Sequence, residues 1–176
     1  RDQLAKAYAA LKAGDPNDAS VVVGPIIDKG HFERISTWVD EAVKDGAKVL
    51  AGGKAIDASR NIHGATLLGD VKSDMKVNCA EVFGPVAILE EVADFKAAIA
   101  RVNDSTYGLQ AGVYTDSVAH MKLAHEELEV GGIIINNVPG FRVDSMPYGG
   151  VKDSGLGREG LKYAMEEMTE PRLIVY

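Results

Sequence analysis

The 176-residue chain carries 46% hydrophobic residues, enough apolar side chain for a sizeable core and a length that suits one domain. Its formal net charge of -7 and pI near 5.1 argue against a nucleic-acid partner, because that binding needs clustered Lys and Arg against phosphates. One cysteine excludes an internal disulfide, and no apolar run reaches the roughly 20 residues that cross a bilayer, so a cytoplasmic setting without a membrane partner is expected.

The chain opens on Arg1-Asp2-Gln3, already inside a helical pattern with apolar positions at Leu4, Ala7, Tyr8 and Leu11. That opening gives the expectation of a piece of a longer protein. Gly14-Asp15-Pro16 ends the first helix. Phe32, Ile35, Trp38, Val39, Ala42 and Val43 predict a second amphipathic helix, followed after Asp45-Gly46 by a strand from Lys48 to Ala51. A strand is expected over Val86 to Glu90. Phe95, Ala98, Ile99 and Val102 predict a third helix and Leu109 to Tyr114 a strand. Val118 to Leu128 reads as a helix, and Ile133-Ile134-Ile135 as a strand buried on both faces.

This alternation predicts an α/β fold with an open, mostly parallel sheet and helices on both faces. From Asn136 to about Gly160 runs a glycine- and proline-bearing segment too long for an ordinary connection, beyond the carboxyl end of a strand, where ligands bind in such sheets. A helix from Leu161 to Met168 and a strand from Arg172 to Tyr176 close the chain.

Two motifs tempt and fail. Gly155-Leu156-Gly157-Arg158-Glu159-Gly160 matches the dinucleotide fingerprint by letter, but a polar loop precedes it and the chain ends before the unit is complete. Glycines supplying positive φ, with Ser154 as a helix cap, explain it better. Cys79 has no cation beside it, and Glu81 close by would raise a thiol pKa, so it reads as a bystander thiol. His120 and His125 are five apart, a spacing that does not stack two metal ligands on a helix face.

Glu81-Val82-Phe83-Gly84-Pro85-Val86 carries more information. A carboxylate can accept two hydrogen bonds from a vicinal diol, an aromatic ring offers a flat apolar surface, and Gly-Pro turns the chain into the following strand. A solvated Glu and a core Phe are the plainer reading of those residues alone. The same holds for Arg142, whose guanidinium suits an anionic group held bidentately, with a surface ion pair to Asp144 as the alternative.

Taken with Gly24-Pro25-Ile26-Ile27, Gly46-Ala47-Lys48-Val49-Leu50-Ala51-Gly52-Gly53, Asn103 to Leu109 and Pro147 to Gly155, the Glu81 run makes the chain resemble the aldehyde dehydrogenase superfamily along nearly all its length. The resemblance implies an NAD(P)-dependent oxidation of a small aldehyde. A thiolate attacks the aldehyde, hydride passes to NAD or NADP, and an activated water releases the acid. It further implies that Glu81 holds the nicotinamide ribose, that Phe83 packs beside the nicotinamide with Leu109 close by, and that the Val138 to Met146 loop, with Phe141 and Arg142, borders the aldehyde pocket. The family's nucleophile and its water-activating glutamate belong to motifs upstream of Gly24, so no catalytic residue and no metal ligand is assigned here, and the chain alone is expected to be inactive. Residues 1–170 then form a partial catalytic domain, and 171–176 a strand for homo-oligomerisation. Arg142 points toward an anionic aldehyde, with lactaldehyde- and phosphonoacetaldehyde-type enzymes as the similar branches. An assembly or binding module derived from that fold is the alternative.

Overall fold

A computed structural model describes residues 1–176. The chain divides into two compact units, Arg1–Glu91 and Val92–Tyr176, a division that the sequence did not suggest.

In the first unit, helix α1 (Asp2–Ala9) precedes the longer α2 (Lys29–Lys44). Asp28 starts α2, its carboxylate accepting from the backbone N–H of His31 at 2.8 Å and so satisfying a donor that the first turn leaves open. The predicted apolar stripe is real. Phe32, Ile35, Val39 and Ala42 are buried, while Val43 lies at the edge of the stripe and is exposed. Strand β1 (Lys48–Ala51) follows as predicted, then β2 (Ala55–Asp57), a 3-10 turn, β3 (Ile62–His63), β4 (Thr66–Gly69), the one-turn helix α3 (Lys76–Cys79) and β5 (Val86–Leu89).

β4 is the centre of this unit, antiparallel to β1 on one side and parallel to β5 on the other. All four of its residues are buried, and Leu68 packs with Val39, Ala42, Ala47, Met75 and Val77. The buried Thr66 hydroxyl donates to the Gly64 carbonyl and accepts from the Gly53 N–H, so it is fully paired. Gly52 is required where it stands: its φ is +68°, and a Cβ would meet the Ala65 carbonyl oxygen at 2.0 Å.

The second unit contains α4 (Phe95–Asn103), β6 (Tyr107–Gly108), β7 (Gln110–Val113), α5 (Val118–Glu127), β8 (Gly132–Ile135), β9 (Val151–Lys152) and α6 (Leu161–Glu167). β7 and β8 run parallel, joined through α5 as a β-α-β crossover. Asp94 and Ser117 cap α4 and α5 by accepting from Ala97 N–H and His120 N–H.

The α/β class is as expected, with parallel pairs where helices connect strands. Within this chain the strands form four small sheets rather than one open sheet, and the antiparallel pairs β1–β4, β2–β3 and β6–β9 accompany the two parallel ones. Ile133 to Ile135 are half-buried, because β8 has β7 on one side only. Residues 172–176 carry no ladder, since no edge of this chain pairs with them, and Leu173, Ile174, Val175 and Tyr176 are exposed. No helix is long and apolar enough to cross a membrane.

Candidate functional site

Glu81 and Phe83 share the loop between α3 and β5. Phe83 is 70% exposed and has φ +52°, the left-handed region that an aromatic residue avoids. A ring held in water on strained backbone does nothing for the core, and such outliers persist where the surroundings impose them and a site uses them. The carboxylate of Glu81 is exposed and has no partner within the chain. Acceptor and aromatic face are therefore both open to a ligand.

The surroundings that impose this conformation come from α2. Half-buried Arg34 donates to the Val82 carbonyl at 2.9 Å and reaches the Glu81 carbonyl at 3.5 Å, while its guanidinium lies 4.6 Å over the Trp38 ring. Gly84 sits against Ile35, where a Cβ would come within 2.5 Å of Cδ1. Arg34 was missed in the sequence. No local signal marked it, since Glu33 and Asp40 flank the same buried stripe and are simply exposed.

Cys79 ends α3, exposed, with only a 3.6 Å contact from Sγ to the Asp74 carbonyl. No base or cation accompanies that thiol. His120 instead stacks on Phe95, ring centroids 4.3 Å apart.

In the second unit, β6 and β9 bring two of the sequence motifs together, pairing Tyr107 with Lys152 and Gly108 with Val151. Lys152 Nζ donates to the carbonyls of Asn103 and Ser105 and forms an ion pair with Glu129. Ser154 does not cap a helix as expected. Its hydroxyl accepts from the Gly108 N–H, and Gly160 stands at the start of α6. Gly155, Gly157 and Gly160 all have positive φ, consistent with turns rather than a dinucleotide fingerprint.

Leu109 falls between β6 and β7 rather than inside a strand, and lines a concavity with Tyr148, Gly149, Arg158 and Glu159. Arg142 borders the same residues. Its guanidinium lies 4.5 Å over the Tyr148 ring, and Nη2 meets Glu159 Oε2 at 2.8 Å, so its ion-pair partner is Glu159 and not Asp144. Stacking and pairing together orient the planar guanidinium. Phe141 is exposed, and its carbonyl accepts from the Gln110 amide at 3.3 Å. Leu109, Phe141 and Arg142 thus belong to one region of the second unit, as Glu81 and Phe83 do to one loop of the first.

The fold is α/β, with the loop of Phe141 and Arg142 beyond the carboxyl end of parallel strand β8, where ligands bind in such folds, and Glu81 and Phe83 at the amino end of β5. The aldehyde dehydrogenase family profile matches residues 1–174, and the chain belongs to that family. It is 46% identical over 174 residues to a 3-sulfolactaldehyde dehydrogenase of Priestia aryabhattai, a match covering 99% of this chain and 36% of that protein. Among solved structures it is similar to aldehyde dehydrogenase 21 from Physcomitrella patens in complex with the product succinate, at TM-score 0.89 and 42% identity, covering 94% of this chain and 34% of that one. It is also similar to a glyceraldehyde-3-phosphate dehydrogenase from Methanocaldococcus jannaschii complexed with NADP, at TM-score 0.86 and 38% identity, covering 95% and 36%. The chain spans about a third of the length of these relatives.

Proposed function

We propose that this chain supplies the nicotinamide-ribose grip and the aldehyde-recognition loop of an NAD(P)-dependent aldehyde dehydrogenase acting on a small anionic aldehyde. The observation that carries the reading is Phe83, exposed on left-handed backbone beside the unpaired carboxylate of Glu81. A bound NAD or NADP supplies the two-electron acceptor for oxidation of the aldehyde. Glu81 accepts hydrogen bonds from the two ribose hydroxyls and Phe83 gives the ring an apolar wall. Arg142 attracts the anionic end of the substrate, with Phe141 beside it. Three relatives are named for anionic compounds, sulfolactaldehyde, succinate and glyceraldehyde-3-phosphate, which supports that choice, while the lactaldehyde of others is neutral. The nucleophilic thiolate is not Cys79, which lacks any activating group, so the chain by itself does not turn over. The exposed apolar residues 173–176 offer an edge for homo-oligomerisation.

The experiment uses the full dehydrogenase carrying this chain. Glu81→Gln should raise the cofactor KM about tenfold, the equivalent of one strong hydrogen bond, and Cys79→Ala should leave activity intact. Arg142→Ala should lower kcat/KM more for an anionic aldehyde than for a neutral one of the same size. Loss of activity in Cys79→Ala, or an unchanged cofactor KM in Glu81→Gln, would sink the reading.

A further inference from the structure

Gln110 has no assigned role, yet its side chain bridges strand β7 and the loop that holds Phe141 and Arg142. Its Nε2 donates to the Pro139 carbonyl at 2.6 Å and to the Phe141 carbonyl at 3.3 Å. Turning the amide over would set Oε1 against two carbonyl oxygens, so these acceptors fix which end is the donor. Oε1 in consequence faces inward, buried and without a hydrogen-bond partner. Burying an orphan acceptor opposes folding, and an apolar side chain of the same length would avoid it. The amide therefore carries a cost at Oε1 that its two bonds to the loop offset, which ties its presence to the loop.

Two glycines make room for that grip. A Cβ on Gly132 of the neighbouring strand would meet Gln110 Oε1 at 2.9 Å, and one on Gly112 would meet the Asn137 carbonyl oxygen at 2.7 Å and Pro139 Cδ at 3.2 Å. The loop thus lies directly on β7, and Gln110 fastens it at both sides of Gly140. Apart from the Arg142 contacts with Glu159 and Tyr148, the loop is held by short-range bonds such as Phe141 N–H to the Val138 carbonyl and Met146 N–H to the Val143 carbonyl.

We infer that Gln110 is a positioning residue for aldehyde recognition, fixing the Val138 to Met146 loop so that Phe141 and Arg142 are presented in one arrangement. This rests on the reading above that the loop borders the aldehyde pocket. Without the grip the loop samples several arrangements, and aldehyde affinity falls by the fraction of time spent in the competent one.

The test compares Gln110→Met, which keeps length and removes the donor, and Gln110→Glu, which keeps shape and sets a carboxylate against the carbonyls, in the full dehydrogenase. Amide hydrogen exchange is measured over 138–146 and over β7 and β8, beside KM for aldehyde and for cofactor. Arg142→Ala and Phe141→Ala serve as parallel arms. The expected result is faster exchange confined to the loop and an aldehyde KM raised about tenfold, with cofactor KM and kcat within about twofold. Unchanged loop exchange overturns the inference, as does faster exchange with an unchanged aldehyde KM while Arg142→Ala raises it. Loss of protection across β7 and β8 in both variants also overturns it, marking Gln110 as a structural residue. An aldehyde KM indifferent to both parallel arms would instead refute the assignment of the loop, and with it the inference.

Discussion

Replacing Arg34 with Met removes one guanidinium and leaves a side chain of comparable length against Trp38. The Val82 carbonyl loses a charged donor at 2.9 Å in a half-buried setting, and the weaker contact to the Glu81 carbonyl goes with it. A hydrogen bond to a charged group contributes about 1.5 to 3 kcal/mol, with the low end fitting partial exposure. Opposing it is the left-handed backbone at Phe83, which costs an L-residue about 1 to 2 kcal/mol. The terms are of similar size, so without Arg34 the loop should spend about a tenth of its time in the observed conformation. With Arg34 the balanced terms leave the loop in that conformation about half the time, so cofactor KM should rise about fivefold, while kcat at saturation falls less than about twofold. Steady-state kinetics with varied cofactor measure this. In the isolated chain the emission of Trp38, its sole tryptophan, reports the lost stacking. A shifted Trp38 emission with cofactor KM unchanged would refute the argument that Arg34 acts through the loop.

Two further outcomes follow from the same structure. Phe83→Gly should separate stability from function: it relieves left-handed strain and loses little packing from a mostly exposed ring, so the melting temperature should hold or rise while cofactor KM increases. A lowered melting temperature would mean that the ring supports the fold. At the start of α2, the backbone N–H of His31, then its side chain, hold the Asp28 carboxyl below its ordinary range. Because the folded value is depressed, the stabilisation is complete above about pH 4 and is lost as pH falls through the lower folded value. Asp28→Asn, which still caps but does not titrate, should flatten that acid limb in denaturation measured from about pH 5 to pH 2, and an unaltered limb would contradict the assignment.

Much of this was legible from residue order because local chemistry suffices for it. The spacing of Phe32, Ile35, Val39 and Ala42 gives α2 its buried face, whereas the one-turn α3 before Glu81 mixes polar and apolar residues and gives no comparable signal. β4 was not read, although it is the most buried strand, because Thr66-Leu67-Leu68-Gly69 has neither alternation nor helical period. Glu81, Phe83 and Arg142 stood out through motifs and resemblance, since the groups that recognise a diol, a ring or an anion are fixed by chemical type.

What held those groups in place was not visible there. Arg34 lies 47 and 48 residues from the carbonyls it grips, Gln110 lies 29 and 31 from its own, and Glu159 lies 17 from Arg142. Their hydrogen bonds arise only when the chain folds back on itself. The sequence by itself determined the longer helices and the family, and it pointed to the residues proposed for recognition. The tertiary structure alone decided which backbone would be strained at Phe83, which cation would restrain it, and which anion the Arg142 guanidinium meets, because each depends on contacts between segments distant along the chain.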